Sequence, residues 1–365
     1  MKKNVLVITG SRSEFGLLRS TIDRLKKSQL LSVKLLVTGM HTLPMLGNTY
    51  REVEKSYQID CIVSLTETAS MIDWLTEEIR GIKTYCENEK IDCMLLLGDR
   101  DEMLAGAIVA SHLGIPIAHI HGGDISGLTT ADHTMRNAIT QFARFHFPAT
   151  KKSAERIKKM KGNEHIYMVG APGLDNCISL PFVEKSNLAK KYKLATEKNW
   201  SLVILHPEPL EKIISPEKQI ELLSEAIQSL DGEIIWIYPN SDTGYQSIIQ
   251  KFSTIQNNQV HFIASIPRDD FLQLLRCSDL LIGNSSAGII ESAFFKKPTI
   301  NIGGRQKGRE SVANVINVDF DVSHIKKALA KAQSIFFKTS IQHIISPYGE
   351  GNTGKKIVSH LEKLI

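Results

Sequence analysis

The sequence predicts an α/β protein made of two Rossmann-like domains that face each other across a cleft. Short apolar segments alternate with helical segments along the chain, the 365 residues suit two domains, and the alternation is interrupted near the middle. Apolar, β-branched strands separated by helices form βαβ units with a buried parallel sheet. Ligands of such sheets bind outside the carboxyl ends of the strands.

The first half of the chain supplies the first sheet. Its strand-like segments are short and apolar, at residues 4–9, 32–37, 94–97, 115–119 and 145–148. Helical periodicity lies between them, at residues 14–28, 71–89, 100–113 and 132–142. The sequence therefore predicts an N-terminal α/β domain over residues 1–175.

The second half repeats this pattern. Strand-like segments occur at residues 200–205, 233–238, 260–264, 280–282 and 299–302, and helical ones at 218–230, 268–276 and 287–295. Glycines and prolines at residues 170–182 interrupt the periodicity and mark the joint. We expect a C-terminal domain over 176–350 and a helix over 351–365 that packs back on the N-terminal domain.

Composition and charge exclude several classes of protein. The chain is 42% hydrophobic and carries a formal charge of +5, with basic and acidic residues interspersed and no RNA-binding motif, so no nucleic-acid partner is expected. No apolar run approaches the about 20 residues of a membrane span, and the first apolar run is too short for a signal peptide. The five scattered cysteines indicate reduced thiols. We expect a cytoplasmic protein that contacts no membrane.

The segment 280–291 is the most informative of the chain. An apolar strand ends at Gly283, Ser285 and Ser286 follow, and a helix is predicted to begin there. Free backbone N–H groups and the helix dipole at such a turn favour a phosphate, although Ser and Asn are also ordinary helix caps. Glu291 could accept hydrogen bonds from a ribose diol.

Three polar clusters follow strands of the first domain. In the first, Arg12 opens a helix and could clamp a phosphate, although the turn has neither GxGxxG nor a Walker sequence. In the second, Asp99 belongs to a group of acids around Arg100; it could be a general base, or the group could simply begin a helix.

The third cluster holds most of the titratable residues. His119 and His121 are expected to point to the same side of an extended strand, and Asp132 follows. A metal site is conceivable, but no third ligand completes a set. An acid–base or phosphate site explains the cluster more simply, so we expect no metal.

Polar residues also follow strands of the second domain. His206 could donate to a diphosphate, Asn240 lies in a Pro-Asn-Ser-Asp-Thr-Gly turn, and Arg305 lies in a glycine-rich loop with two further cations. Each of these segments could also be a plain turn or a surface loop.

Taken together, these motifs resemble the hydrolysing UDP-N-acetylglucosamine 2-epimerases of sialic acid and legionaminic acid pathways. The likeness runs through nearly the whole chain and rests on segments 10–15, 37–41, 98–100, 122–127, 206–207, 238–244, 283–291 and 304–306. It implies a glycosyltransferase-B type fold with the active site in the interdomain cleft. It also implies that no metal and no nicotinamide cofactor is needed.

The resemblance implies roles for individual residues of the first domain. Asp99 falls on a catalytic acid of the family and Arg100 on its neighbour, while Asp132 falls on a second catalytic Asp if a two-residue insertion is accepted. His121 stands where the family has a catalytic Glu. An imidazole can act as acid or base near neutral pH, so the departure changes the protonation assignment without excluding catalysis.

The nucleotide-binding residues are carried over in the same way. Ser285 and Ser286 would hold the diphosphate and Glu291 the ribose. Arg268 and Phe271 would flank the uracil, and Asn240 would reach the sugar or phosphates. Arg12, His206 and Arg305 would add donors and positive charge around the diphosphate.

The implied reaction eliminates UDP to a 2-acetamidoglucal, which is then hydrated to N-acetylmannosamine. A legionaminic acid pathway enzyme would do the same to a UDP-2,4-diacetamido-2,4,6-trideoxy sugar, and the motifs do not separate the two. A glycosyltransferase and a non-catalytic sugar-nucleotide sensor are the alternatives of other classes. The family analogy suggests a homodimer or homotetramer.

Overall fold

The computed structural model describes residues 1–44, 47–125, 131–208, 214–239, 244–255 and 257–365. The chain divides into two compact units. Unit 1 contains Met1–Asp124, Thr130–Asn176 and Tyr348–Ile365, and unit 2 is built mainly from Cys177–Pro347.

Unit 1 is organised around a parallel sheet. Its strands in the described residues are β1 (Lys3–Thr9), β2 (Leu31–Val37), β3 (Cys61–Ile62), β4 (Cys93–Leu97), β5 (Ile117–Ile120) and β6 (Phe145–Phe147). They are ordered β3-β2-β1-β4-β5-β6, and all neighbouring strands run parallel. Val5 on β1 pairs with Val33 on β2 and with Cys93 on β4. The central strands β1 and β4 are therefore covered on both faces, as their apolar sequences predict.

Helices cover both faces of this sheet. They are α1 (Arg12–Lys27), α2 (Tyr50–Glu54), α3 (Met71–Asn88), α4 (Asp101–His112), α5 (Ala131–Phe142), α6 (Lys151–Lys161) and α7 (Gly173–Ser179), which continues into unit 2. Ser11 caps α1 by accepting a hydrogen bond from the Glu14 amide at 3.4 Å. Leu18, Ile22 and Leu25 then recur on one face of α1 and lie in the core.

The last helix of the chain, α15 (Thr353–Leu364), belongs to unit 1. Asp175 accepts hydrogen bonds from the backbone N–H groups of Thr353 and Gly354, at 2.8 and 2.7 Å, and so caps the beginning of α15. Ile357 and Leu361 pack in the same core as α1.

Unit 2 repeats the architecture with different residues. Its strands in the described residues are β7 (Trp200–Ile204), β8 (Glu233–Ile237), β9 (Val260–Ile263), β10 (Leu280–Gly283), β11 (Thr299–Ile302) and β12 (Val315–Val318). They are ordered β12-β11-β10-β7-β8-β9 and again run parallel. Trp200 and Trp236 are fully buried large side chains of this sheet. The α/β fold class with two Rossmann-like units is thus confirmed.

The described helices of unit 2 are α8 (Lys185–Tyr192), α9 (Pro216–Ile227), α10 (Tyr245–Phe252), α11 (Arg268–Cys277), α12 (Glu291–Phe294), α13 (Val322–Gln333) and α14 (Ile335–Ser340). The single helix predicted over 287–295 is wrong. A 3₁₀ turn, Ser286–Gly288, precedes the four-residue α12. The Gly288 and Ile289 amides donate to the carbonyls three residues earlier, at 3.0 and 2.9 Å, so the segment begins as a 3₁₀ turn; the first bond to the fourth residue back is from the Ile290 amide to the Ser286 carbonyl, at 3.0 Å.

Both sheets reverse their strand order at one place. In unit 1 the switch lies between β1 and β4, and in unit 2 it lies between β7 and β10. Loops at the carboxyl ends of two such strands diverge to opposite faces of the sheet, which opens a crevice for ligands. No helix in the described part of the chain is long and apolar enough to span a membrane. All five cysteines are free thiols.

Candidate active site

The candidate residues follow strands, as predicted. Asp99 follows β4 and His121 follows β5, while His206 follows β7 and Ser285 follows β10. The segments after β1 and β4 lie at the switch point of unit 1, and those after β7 and β10 lie at the switch point of unit 2. The fold therefore places the polar clusters where open α/β sheets bind ligands.

Asp99 is held at the end of β4 by a glycine. Gly98 has a φ of 84°, which a side chain would strain. Its amide donates to the Ile120 carbonyl at 3.0 Å, and its own carbonyl accepts from His119 Nε2 at 2.8 Å. The Asp99 carboxylate forms an ion pair with Arg136 of α5.

Arg136 joins two strand ends of unit 1. One guanidinium nitrogen contacts Asp99 after β4, and the other donates to the Asp124 carbonyl beyond β5 at 3.0 Å. Arg136 is buried, so its charge acts at low dielectric on both partners. No role was predicted for Arg136 from the sequence. Its position four residues after Asp132 on a predicted helix places the two residues on the same face and could have indicated one.

His121 lies in a turn just beyond β5. The strand ends at Ile120, and His121 adopts a left-handed φ of 64°. His121 Nδ1 lies 2.9 Å from Asp124 Oδ2, and Asp124 Oδ1 accepts a hydrogen bond from Ser153 Oγ at 2.7 Å. The expectation that His119 and His121 share one side of an extended strand is therefore wrong, because the backbone turns between them.

His119 serves the structure of this region. It is fully buried, with Nε2 donating to the Gly98 carbonyl and Nδ1 lying 3.2 Å from the Thr140 hydroxyl. Burial lowers the pKa of His119 to about 4, so the ring is neutral at physiological pH. Among the described residues no group of three His, Cys, Asp or Glu side chains is arranged to hold a metal ion.

Arg100 lies directly before α4, next to Asp99, and Asp132 lies on α5, which follows the His121 segment. Asp132 is exposed in the first turn of α5, four residues before Arg136. Arg100 precedes α4, and its Nε donates to Glu102 Oε1 at 3.0 Å. Burial raises the pKa of Asp101. The charge of Glu102 raises it further, and the charge of Asp132 does so more weakly.

A buried carboxyl cluster underlies the β1 turn. Glu14, Glu78 and Glu102 are all at least 96% buried. A Cβ on Gly10 would lie 1.8 Å from Glu102 Oε1, so this position requires glycine. Burial, followed by the charge of Glu102, raises the pKa of Glu14 well above its ordinary range and that of Glu78 to about 9. The sequence reasoning overlooked this cluster, because its members are distant in sequence.

Arg12 begins α1, where the sequence predicted it, and its guanidinium forms an exposed ion pair with Glu52 of α2. A phosphate that bound Arg12 would compete with this pair. Such exposed ion pairs contribute little to stability, typically about 0–1 kcal/mol, so the competition would cost little.

In unit 2, Asn284 connects the ends of β10 and β7. Its Oδ1 accepts from the His206 amide at 2.7 Å, and its Nδ2 donates to the His206 carbonyl at 2.9 Å. Gly283 has a φ of 132°, and a Cβ there would lie 1.9 Å from the Ile204 carbonyl oxygen. The glycine thus allows β10 to approach β7 closely, and Asn284 fixes the turn that carries His206.

Glu208 positions the loop that contains Arg305. Its carboxylate accepts hydrogen bonds from the backbone amides of Gly304 and Arg305, at 2.9 and 3.1 Å, and from Asn284 Nδ2 at 3.0 Å. Gln306 Nε2 donates to the Asn284 carbonyl at 2.8 Å. No role was predicted for Glu208 or Gln306 from the sequence. Glu208 directly follows the polar segment 206–207, and Gln306 lies in the segment 304–306.

Ser285 and Ser286 lie at the 3₁₀ turn after β10. Ser285 Oγ accepts from the Ala287 amide at 3.4 Å and so caps this turn. Because the turn and α12 are both short, no long helix dipole points at the two serines. Any phosphate here would depend on hydroxyl and loop N–H donors.

The buried carboxylate of Glu291 forms an ion pair with the partly buried Arg268. The Arg268 guanidinium also lies 5.7 Å from the centre of the Phe271 ring, which is itself buried. The three residues predicted to contact ribose and uracil thus form one contiguous group. Asn240 lies outside the described residues.

The model of the family described as UDP-N-acetylglucosamine 2-epimerase matches residues 23–362. The chain belongs to the UDP-N-acetylglucosamine 2-epimerase family. This confirms the resemblance drawn from the motifs.

Two curated relatives of this chain carry names with different substrates. A UDP-N,N'-diacetylbacillosamine 2-epimerase (hydrolyzing) of Legionella pneumophila is 35% identical over 373 residues, covering 100% of this chain and 97% of the relative. A UDP-N-acetylglucosamine 2-epimerase of Neisseria meningitidis serogroup B is 32% identical, covering 91% and 88%. The chain is therefore similar to 2-epimerases with two different named substrates, of which the Legionella pneumophila protein is named as hydrolysing.

The fold agrees with solved structures of epimerases. A crystal structure of the UDP-GlcNAc 2-epimerase from Neisseria meningitidis bound to UDP-GlcNAc matches with a TM-score of 0.84, at 19% identity, over 99% of this chain and 100% of that chain. At this identity the likeness concerns the fold alone.

Proposed function

We propose that this protein is a hydrolysing 2-epimerase that converts UDP-N-acetylglucosamine into N-acetylmannosamine and UDP. Membership of the epimerase family supports the class of reaction. The observation that carries the proposal is the connected network of unit 1, in which Arg136 ties Asp99 to the turn bearing His121. Two proton-transferring side chains held after the neighbouring strands β4 and β5 suit a reaction that moves protons at a sugar carbon.

The first step is an elimination. A carboxylate base, which we assign to Asp99, takes the proton on C2. The C–H electron pair forms the C1–C2 double bond, the C1–O bond breaks, and UDP leaves with that electron pair. The product is a 2-acetamidoglucal. Because the C2 proton is weakly acidic, the step depends on stabilising the departing diphosphate.

The second step returns water to the glucal. C2 receives a proton on the opposite face, which we assign to His121, and the hydroxide equivalent adds at C1 to give the free manno sugar. Asp132 is the second carboxylate that could accept the proton of the attacking water. Arg100 lies beside Asp99 and adds positive charge.

Residues of unit 2 would hold the UDP moiety. His206, Ser285, Ser286 and Arg305 would donate to the diphosphate, as would Arg12 of unit 1. Glu291 would accept from the ribose and Arg268 with Phe271 would contact the uracil, so the Arg268–Glu291 pair would rearrange on binding. Asn240 is proposed to contact the sugar or the phosphates. We expect a cytoplasmic homodimer or homotetramer without a cofactor.

A second substrate has specific support. The Legionella pneumophila relative, which matches the full chain at 35% identity, carries the name of an enzyme for UDP-N,N'-diacetylbacillosamine. The same elimination and hydration would convert this 2,4-diacetamido-2,4,6-trideoxy sugar, because C1 and C2 have the same substituents in both substrates.

Incubation with UDP-N-acetylglucosamine in D2O, without metal or acceptor, tests the function. We expect free UDP and N-acetylmannosamine with deuterium at C2. NMR and mass spectrometry detect both products. Turnover of the diacetamido substrate alone would select the second substrate. A UDP-sugar of manno configuration without free UDP would show a non-hydrolysing epimerase. Binding without turnover of either sugar would indicate a sensor, and transfer to an added acceptor a glycosyltransferase.

A further inference from the structure

A continuous chain of polar contacts runs from helix α6 to His121. Thr150 caps α6 by accepting from the Ser153 amide at 3.2 Å, and its hydroxyl lies 3.0 Å from Ser153 Oγ. Ser153 Oγ donates to Asp124 Oδ1 at 2.7 Å, and Asp124 Oδ2 lies 2.9 Å from His121 Nδ1. Because a carboxylate only accepts hydrogen bonds, this geometry requires the proton on Nδ1 of His121.

The turn that carries both side chains is fixed from several directions. A Cβ on Gly123 would lie 2.3 Å from the Ser153 carbonyl oxygen, so the turn lies directly against α6. Arg156 Nη1 donates to the Gly123 carbonyl at 2.8 Å, and Arg136 Nη1 donates to the Asp124 carbonyl at 3.0 Å. The Asp124 side chain is 5% exposed, so little water competes for its carboxylate.

We propose that Asp124 is a positioning residue for His121: it fixes the ring with its proton on Nδ1 and stabilises the imidazolium formed when Nε2 takes a proton. The assignment rests on the proposed function, in which His121 handles a proton of the reaction. Asp124 itself need not touch the substrate. A buried carboxylate on the far nitrogen of a catalytic imidazole acts in this way in other enzymes.

The other charged and titratable groups around the turn are compatible with this role. Arg136 on α5 and Arg156 on α6 face the turn through backbone carbonyls, and Asp99 after β4 is paired with Arg136. His119 on β5 and His146 on β6 are neutral, because burial lowers their pKa values to about 4 and about 3.

The tautomer can be tested in the full-length wild-type protein, with a variant needed only to assign the signal. Nitrogen-15 NMR of the histidine rings, assigned with His121→Asn, should show neutral His121 protonated on Nδ1, whereas the free amino acid in water prefers Nε2. Observation of the Nε2–H tautomer for His121 would overturn the proposal. This measurement does not depend on whether the protein turns over either sugar.

The role in the reaction is tested with Asp124→Asn. We expect kcat for UDP release to fall about 10²-fold or more with KM within a few-fold. Because His121 donates its proton as an imidazolium, the high-pH limb of the kcat profile should move to lower pH. Ser153→Ala, which keeps the carboxylate, should retain kcat within about tenfold. An unchanged kcat and pH profile in a folded Asp124→Asn variant would refute the proposal. An inactive wild type with the Nδ1–H tautomer would instead refute the proposed function alone.

Discussion

At the ends of β1, β4 and β5 in unit 1 the buried polar groups are mostly titratable, and they contact one another through side chains. Asp99 pairs with Arg136, His121 with Asp124, and Glu14 lies against Glu102. At the switch point of unit 2 the buried polar groups are mostly amides and backbone N–H groups.

In unit 2 Asn284 and Gln306 connect three loops, and the carboxylate of Glu208 is surrounded by N–H donors. A carboxylate that accepts hydrogen bonds from amides is suited to holding loops in place, whereas coupled acids and a histidine can exchange protons at modest cost. The contrast supports the proposal that unit 1 carries the chemistry and unit 2 carries nucleotide binding. Each substitution below changes one of the two units and leaves the other intact.

The largest effect is expected for Asp99→Asn. Loss of the carboxylate base should lower kcat for UDP release by about 10²- to 10⁴-fold, with UDP affinity nearly unchanged, because the substitution touches only the titratable network. Turnover is measured by UDP release, and UDP binding by calorimetry. Asp319→Asn on an exposed site of unit 2 is the matched control and should turn over normally. Equal loss of UDP affinity and kcat in Asp99→Asn would contradict the division of roles.

Gly283→Ala should be the most destabilising single change at the unit 2 switch point. The new methyl would lie 1.9 Å from the Ile204 carbonyl at a φ of 132°, so β7 and β10 must separate. We expect a loss of about 3 kcal/mol or more, seen as a lower Tm. Gly114→Ala is the control, because its φ is 68° but no atom lies within 4 Å of the new Cβ. Similar losses for both variants would show that backbone strain, and not the close approach, is responsible.

Glu208→Ala should weaken UDP binding and lower Tm by loosening the loop of Gly304 and Arg305. Removal of the carboxylate leaves buried donors unsatisfied, at about 1–3 kcal/mol for each donor that water does not reach. Glu208→Gln keeps an acceptor oxygen and should lose less. UDP calorimetry and thermal unfolding measure the two effects. If Glu208→Ala altered the pH dependence of kcat while UDP affinity stayed normal, Glu208 would belong with the chemistry.

The smallest effect is expected for Glu78→Gln, and its sign depends on pH. Burial, then the Glu102 charge, raises the pKa of Glu78 from its ordinary 4.5 to about 9. The folded state therefore keeps a proton that the unfolded state releases, so wild-type stability falls as pH rises from 4.5 towards 9. Glu78→Gln should remove this loss. The free energy of unfolding of the variant, measured relative to wild type, should therefore be higher near pH 8 than near pH 5 by on the order of 1 kcal/mol.

Thermal unfolding of wild type and Glu78→Gln across pH 5–9 measures this difference. The control Glu87→Gln removes an exposed partner of Lys83 and should leave the pH dependence almost unchanged. A Tm difference that stays constant with pH would mean that Glu78 is ionised in the folded protein.

Much of the fold was predictable from local pattern. The central strands have apolar, β-branched sequences that can be read without knowledge of their partners, and β1, β4, β7 and β10 all lie within or next to the predicted ranges. The edge strand β3 was missed because two residues carry no periodicity. The helix predicted over 287–295 was wrong because local periodicity does not reveal the tight turn against β11, where a Cβ on Gly288 would lie 3.0 Å from Thr299.

The candidate site was predictable in its location more than in its contacts. Asp99, His121 and His206 were identified because polar residues after buried strands stand out in sequence. Arg136 and Glu208 had no predicted role, because their importance comes from partners 12 to 97 residues away along the chain. Asp124 had none because only the turn after β5 brings its carboxylate to His121, and because Ser153 lies 29 residues further on. The Glu14–Glu102 pair was hidden for the same reason.

The sequence by itself determined the two parallel sheets, the polar clusters at their carboxyl ends and the epimerase family, because periodicity and short motifs are local properties. Only the tertiary structure decided which side chains meet. It paired Asp99 with Arg136 and His121 with Asp124, and it surrounded Glu208 with amides. Hydrogen bonds and pKa shifts depend on burial and on neighbours across the sheet, which strand order and helix packing bring together.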